Sequence, residues 1–266
     1  MKHLSKIKNK AGIIILILIT IISILPSIGC KKEKKHKPII ETGTVTDIDG
    51  NVYKTVNING KWWMAENLKV KRYNNRDSVN FVSVTNFQLD SATWNNLQTG
   101  AYCIIDNIYE SSQNYQGKMF GFLYNFYAVS DSRNIAPAGW HIPTDDEWKN
   151  LEEYTGMSSS DLDKVNWRGS NEGNKLKIEG PAGWNKSYDE YSIWGTNDFG
   201  FSAIGGGCCM YNGIWGEPGT FSTGFWWTST LKENKAWYRY LDYNKTNVFR
   251  YYGPKTYGFS IRCVKD

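Results

Sequence analysis

Histidine is nearly missing from this sequence: of three in 266 residues, His3 and His36 lie in the N-terminal stretch and His141 stands alone beyond it. That excludes a His-rich metal centre from the main body, and any chemistry needing an imidazole would have to use that one residue. The five cysteines contain no C-x-x-C pair, so the common zinc spacings are missing as well. Neither a G-x-S-x-G elbow nor a phosphate loop occurs, which removes two familiar marks of acyl transfer and nucleotide binding. Prolines number seven, and the long apolar run, Ala11–Leu25, is fifteen residues. A bilayer-spanning helix needs about 20, so this run is short for a retained transmembrane anchor.

What is present begins with a targeting signal. Lys2, Lys6, Lys8 and Lys10 precede the apolar run, and "PSIGCKKEKKHK" follows it, the order of a secretory leader. Ser27, Ile28, Gly29 and Cys30 resemble the lipobox of bacterial lipoproteins. The resemblance implies a signal peptide over 1–29, lipid on Cys30, and a Lys-rich tether over 30–42. The expected location is the cell envelope, lipid-anchored at the outer membrane, with the periplasmic and surface faces both open. The formal net charge of +5 is a local effect: residues 1–40 hold nine Lys and one Glu, leaving 22 basic against 25 acidic residues, a net of −3. Nothing there attracts a phosphate backbone, so nucleic acid is not an expected partner.

The remaining stretch is long enough for one large domain. All 12 Trp fall in it, and extended helical periodicity is scarce, which points to short strands and ordered loops packed by aromatics. Asp49-Gly50 and Asn59-Gly60 sit between alternating apolar residues and predict a meander from Thr44 to Met64. Asp47, Asp49 and Asn51 lack the glycine position and terminal glutamate of a calcium loop, so they read as a turn. "GAYCIIDN" reads as a strand, "GFLYNFYAV" as a short helix or turn, and the segment from Lys235 onward as antiparallel strands. Thr144-Asp145-Asp146-Glu147 fits a capping box, with Trp148, Leu151 and Tyr154 following at helical spacing. Its acids then have a local task at the helix start, and His141, on the strand "GWHIP", is expected to be structural.

"VTDIDGNVYKTVNING", "WWMAENLKV", "AYCIIDN", "FGFLYNFYAV", "APAGWHIPTDDEWKNL", "GTNDFGFSAIGGG", "FWWTST" and "GFSIRCVKD", in this order, resemble the Fibrobacter succinogenes major paralogous domain over 43–266. The resemblance implies an α+β, C-type-lectin-like fold: a twisted antiparallel sheet, flanking helices and a long-loop region carrying the ligand surface. Two departures stand out. Ala136-Pro137 replaces a Cys-Pro of many relatives, and Cys208-Cys209 stands where they often have Tyr-Arg. Four cysteines allow three connectivities; a Cys103–Cys263 bridge is implied, because both lie in segments resembling the family's core strands. Cys208 and Cys209 are left either as a vicinal disulfide or reduced.

Fold resemblance does not supply a function. The related formylglycine-generating enzymes place two active cysteines a few residues apart, which adjacent Cys208 and Cys209 do not match, so no enzyme activity is expected. Glu217-Pro218-Gly219 only approximates the Glu-Pro-Asn of calcium-dependent lectins, and no metal or cofactor is assigned. The expected function is a non-catalytic binding module, for a glycan or an envelope protein. The alternative is a structural or assembly subunit of an envelope complex. Candidate ligand residues are Trp194, Asn197, Asp198, Tyr211, Trp215 and Glu217, which combine rings, amides and carboxylates without core periodicity.

Overall fold

In the computed structural model, residues 39–85, 88–89, 91–104, 120–180, 183–184, 194–210, 213–215 and 222–266 are described. The expected leader, Cys30 and most of the expected tether lie outside them. The expected meander is present as β1 (Thr42–Thr46), β2 (Val52–Ile58) and β3 (Lys61–Met64). Asn59 and Gly60 turn the second corner at φ 54° and 79°, the pair of positive angles that a tight two-residue hairpin requires. Asp47 organises the first: its carboxylate accepts from the Asp49 and Asn51 amides, both at 2.9 Å, and from the Tyr53 hydroxyl at 2.6 Å.

Along the chain follow β4 (Asn80–Phe81), β5 (Val84–Thr85), β6 (Gln88–Leu89), α1 (Ser91–Asn96), β7 (Ala101–Cys103), β8 (Leu123–Asn125) and α2 (Phe126–Val129). Next come β9 (Trp140–His141), α3 (Asp145–Tyr154), α4 (Ser159–Leu162), β10 (Asn166–Arg168) and α5 (Glu172–Leu176). The last third is β11 (Cys208–Met210), β12 (Gly213–Trp215), β13 (Thr223–Lys232), β14 (Lys235–Asp242), β15 (Val248–Pro254), β16 (Gly258–Phe259) and β17 (Val264–Lys265). This is an α+β fold with little helix. No described helix is long and apolar enough to cross a membrane.

Three sheets carry the structure, ordered β1-β2-β3-β17-β9, β10-β15-β14-β13 and β12-β11-β16-β8-β7-β4, and β5-β6 adds a small ribbon. Among these ladders only β4–β7 is parallel. The run Phe225-Trp226-Trp227 shows why apolar residues are continuous in β13. Phe225 and Trp227 enter one core cluster while Trp226, pointing the other way, enters a second. Both indole N–H groups of this run are satisfied: Trp226 donates to Asn67 Oδ1 at 2.9 Å and Trp227 to the Tyr124 carbonyl at 2.8 Å. The C-terminal "YGFSIRCV" is divided between two strands. β16 joins the six-stranded sheet and β17 the five-stranded one, while Ser260, Ile261 and Cys263 between them hydrogen-bond to Phe225, Trp227, Leu68 and Met64.

Helix α3 starts as its sequence predicts, with the Glu147 amide donating to Thr144 Oγ1 at 3.1 Å and the Thr144 amide to Glu147 Oε2 at 2.9 Å. Asp145 corrects the local reading of its acids. It is buried and accepts from Arg239 Nη1 at 2.7 Å and Arg250 Nη2 at 2.6 Å, while Glu152 accepts from Arg239 Nε and Arg168 Nη2, both at 2.6 Å. These partners come from β10, β14 and β15, so the helix is held to the four-stranded sheet by buried charge. Sequence distance hid them from any helix-terminus argument.

Candidate functional site

Among the described residues, a concave surface lies where the meander meets the edge of the six-stranded sheet. Its wall is built by alternation: Val70 and Val79 are buried, which turns Lys69, Lys71, Ser78 and Asn80 outward. The Val79 amide donates to the Lys71 carbonyl and Arg72 pairs with Ser78, so the two limbs form a short ladder. Alternation breaks at Phe81, which stays 55% exposed before Val82 turns in. Phe81 is the parallel register partner of Tyr102. Their rings lie 5.2 Å apart, and Tyr102 in turn stacks on Phe122 at 5.0 Å with planes 16° apart.

The resulting cleft is about 960 Å³, lined by the three rings, Asp49, Asn51, Lys69, Lys71, Arg72 and Asn80 among others. Its charges are not equivalent. Asp49 is consumed internally, accepting from Arg72 Nε and from the Lys71 amide, each at 2.5 Å. Lys69 lies over the Tyr53 ring at 5.6 Å, and among the described residues neither Lys69 nor Lys71 has a carboxylate partner. Burial, and secondarily the negative Asp49, raises the Tyr102 phenol above its ordinary value, so it remains a neutral hydrogen-bonding group. The arrangement presents an apolar platform, amides and two uncompensated cations. Those groups are fitted for recognition, with no nucleophile–base pair among them.

Of the expected ligand residues, Trp194, Asn197 and Asp198 do not line this cleft. Trp194 is 40% exposed. Asn197 sits at φ 47° with its amide engaged at both ends by Ser202, accepting from its backbone at 2.8 Å and donating to its hydroxyl at 2.9 Å. That is a turn-closing arrangement. The Asp198 amide donates to the Lys175 carbonyl. Trp215 belongs to β12, opposite Cys208 in the ladder, while Tyr211 and Glu217 lie outside the described residues. His141 holds Asp266 Oδ1 at 2.6 Å from Nδ1 and both Glu147 oxygens at 3.0 Å from Nε2. It therefore ties β9 to the start of α3, the structural part expected of it. Sequence reasoning missed Lys69, Lys71, Phe81, Tyr102 and Phe122. The detectable signal was the lapse of alternation at Phe81.

The cysteine expectation needs correction. Cys103 and Cys263 form no bridge and belong to different core clusters. The sulfur of Cys103 instead faces that of Cys209 at 2.8 Å. Neighbouring strand residues point to opposite faces, and Cys208 and Cys209 in β11 accordingly enter different clusters. A vicinal disulfide is thus excluded by the strand itself.

Compared with known proteins, residues 56–265 match the family model described as the Fibrobacter succinogenes major domain. No curated protein and no solved structure matches the chain.

Proposed function

Because this chain belongs to the Fibrobacter succinogenes major domain family, we propose that it is a non-catalytic binding module of the cell envelope, anchored to the outer membrane by lipid on Cys30, whose cleft takes a saccharide bearing acidic groups. The observation that carries the proposal is the exposed Phe81 ring, braced by Tyr102 and Phe122, with Lys69 and Lys71 on the adjoining wall. Such a ring offers a flat face to sugar C–H groups, amides orient hydroxyls, and free ammonium groups favour carboxylates. The same reading takes the fold as a C-type-lectin-like variant. Antiparallel sheets with few helices, and the stretch between α5 and β11 without a described helix, support it.

The test is an array of neutral and acidic polysaccharides and peptidoglycan fragments, probed with the full chain in detergent, with calcium and with chelator. Retention on an acidic glycan is expected, with Phe81→Ala weakening it at least tenfold at unchanged melting temperature. Lys69→Gln with Lys71→Gln should weaken acidic glycans and spare neutral ones. Loss on Trp194→Ala with Phe81→Ala intact would move the site to the loops. No glycan retained, together with envelope crosslinking of a protein through the cleft, would replace this reading with an assembly subunit.

A further inference from the structure

The six-stranded sheet is curled. At one end β12 packs against β6, which follows β4 at the other end. The enclosed face carries Ala101, Cys103, Leu123 and Cys209, which form one buried cluster with Trp94 of α1. Gly258 of β16, directly opposite Cys209, leaves the room they need: a Cβ there would meet the Trp94 ring at 2.8 Å and Cys209 Cβ at 3.0 Å. Across this bare position the two sulfurs meet at 2.8 Å, and both residues are wholly buried.

We propose that Cys103 and Cys209 are an oxidation site that closes to a structural disulfide, joining β7 to β11 through the interior of the curled sheet. The sulfurs are already within about 1 Å of the ~2.05 Å bond length, on side chains that share one face. The step is a thiol–disulfide exchange with a disulfide-donating oxidant of the compartment. The thiolate of one cysteine attacks the donor disulfide and expels its first thiol. The second cysteine then attacks the mixed disulfide, forming the Cys103–Cys209 bond and expelling the second thiol. Two protons and two electrons leave the protein, and the donor becomes a dithiol. Because both residues are buried in the folded domain, the exchange belongs to folding, before α1 and Trp94 cover the pair. The bond would also pin the strand that carries Tyr102, the middle ring of the cleft.

In the cell the inference rests on the proposed envelope location, so the experiment separates the two. Full-length protein extracted from cells without reductant is alkylated and peptide-mapped, and denatured, reduced protein is refolded with oxidised glutathione and mapped in the same way. Both preparations should contain a Cys103–Cys209 cross-link, retained in Cys208→Ser and lost in Cys209→Ser. Reductant, or Cys103→Ala, should lower the melting temperature by roughly 10 °C. A cross-link in vitro but alkylated thiols in the cell would keep the pair and remove the envelope location. Cys103 free or joined to Cys263 after oxidative refolding would overturn the inference.

Discussion

Asp145 shows how much one side chain can hold. Burial by itself would raise its carboxyl, but hydrogen bonds and charge from Arg250 and Arg239 win and hold it at about 2, against an ordinary 3.8. Its folded value being the lower, this contribution is complete above about pH 4 and is lost as the pH falls towards 2. It amounts to roughly 2 kcal/mol. Denaturant titrations at a series of pH values should show that acid limb, and Asp145→Asn should flatten it. At neutral pH the variant should cost about 3–5 kcal/mol, because two buried guanidinium groups lose their shared partner. An unchanged acid limb in the variant would mean that the buried charge is balanced elsewhere. Arg262 presents the opposite case: it is buried and, among the described residues, hydrogen-bonds to no carboxylate, donating to Asn67 Oδ1 at 2.9 Å and to the Phe201 and Ser202 carbonyls. Desolvation lowers its value to about 9, and two loop segments, one with Asn67 and the other with Phe201 and Ser202, supply the neutral acceptors that hold it.

Helix α3 gathers these effects at the scale of an element. Its capping box is local and its Trp148 and Leu151 face the core, but its orientation is set by Asp145 and Glu152 reaching arginines on β10, β14 and β15. The pairing of β13 with β14 shifts between Trp227 and Leu231, and the displaced residues meet the helix. Ser229 donates to the Pro143 carbonyl and Thr230 Oγ1 accepts from the Asp145 amide. Thr144→Ala should therefore cost on the order of 1 kcal/mol, the value of a cap alone, since these other ties remain. Urea midpoints measure this, and Thr144→Ser should restore the stability. A loss of several kcal/mol would instead show that the cap and the ionic cluster fold as one unit.

For the molecule as a whole, the charge division separates a basic N-terminal stretch from a slightly acidic body. The described elements all fall in the unit Lys37–Asp266. Lipidation and folding should then be separable. Cys30→Ser should abolish palmitate labelling and detergent-phase partitioning while leaving the melting temperature within about 2 °C, because every described strand begins after residue 41. Labelling that persists in the variant would dismiss the lipid anchor.

Residues whose partners are near in sequence were legible in advance. Asn59-Gly60 specified a hairpin by its positive φ angles, Thr144 to Glu147 specified a helix start, and the ordered motifs from "VTDIDGNVYKTVNING" to "GFSIRCVKD" specified the family. The tertiary structure alone decided which distant groups meet. Cys103 stands against Cys209 and not Cys263 because the six-stranded sheet curls over Gly258. Asp145 serves Arg239 and Arg250 because β14 and β15 pass beneath α3. Phe81 acquires its platform because β4 runs parallel to β7 and matches it to Tyr102. Backbone preference and periodicity act over a few residues and are written in the chain. Contacts across some 20 to 100 positions depend on sheet order and curvature, which follow from the packing of all the strands together.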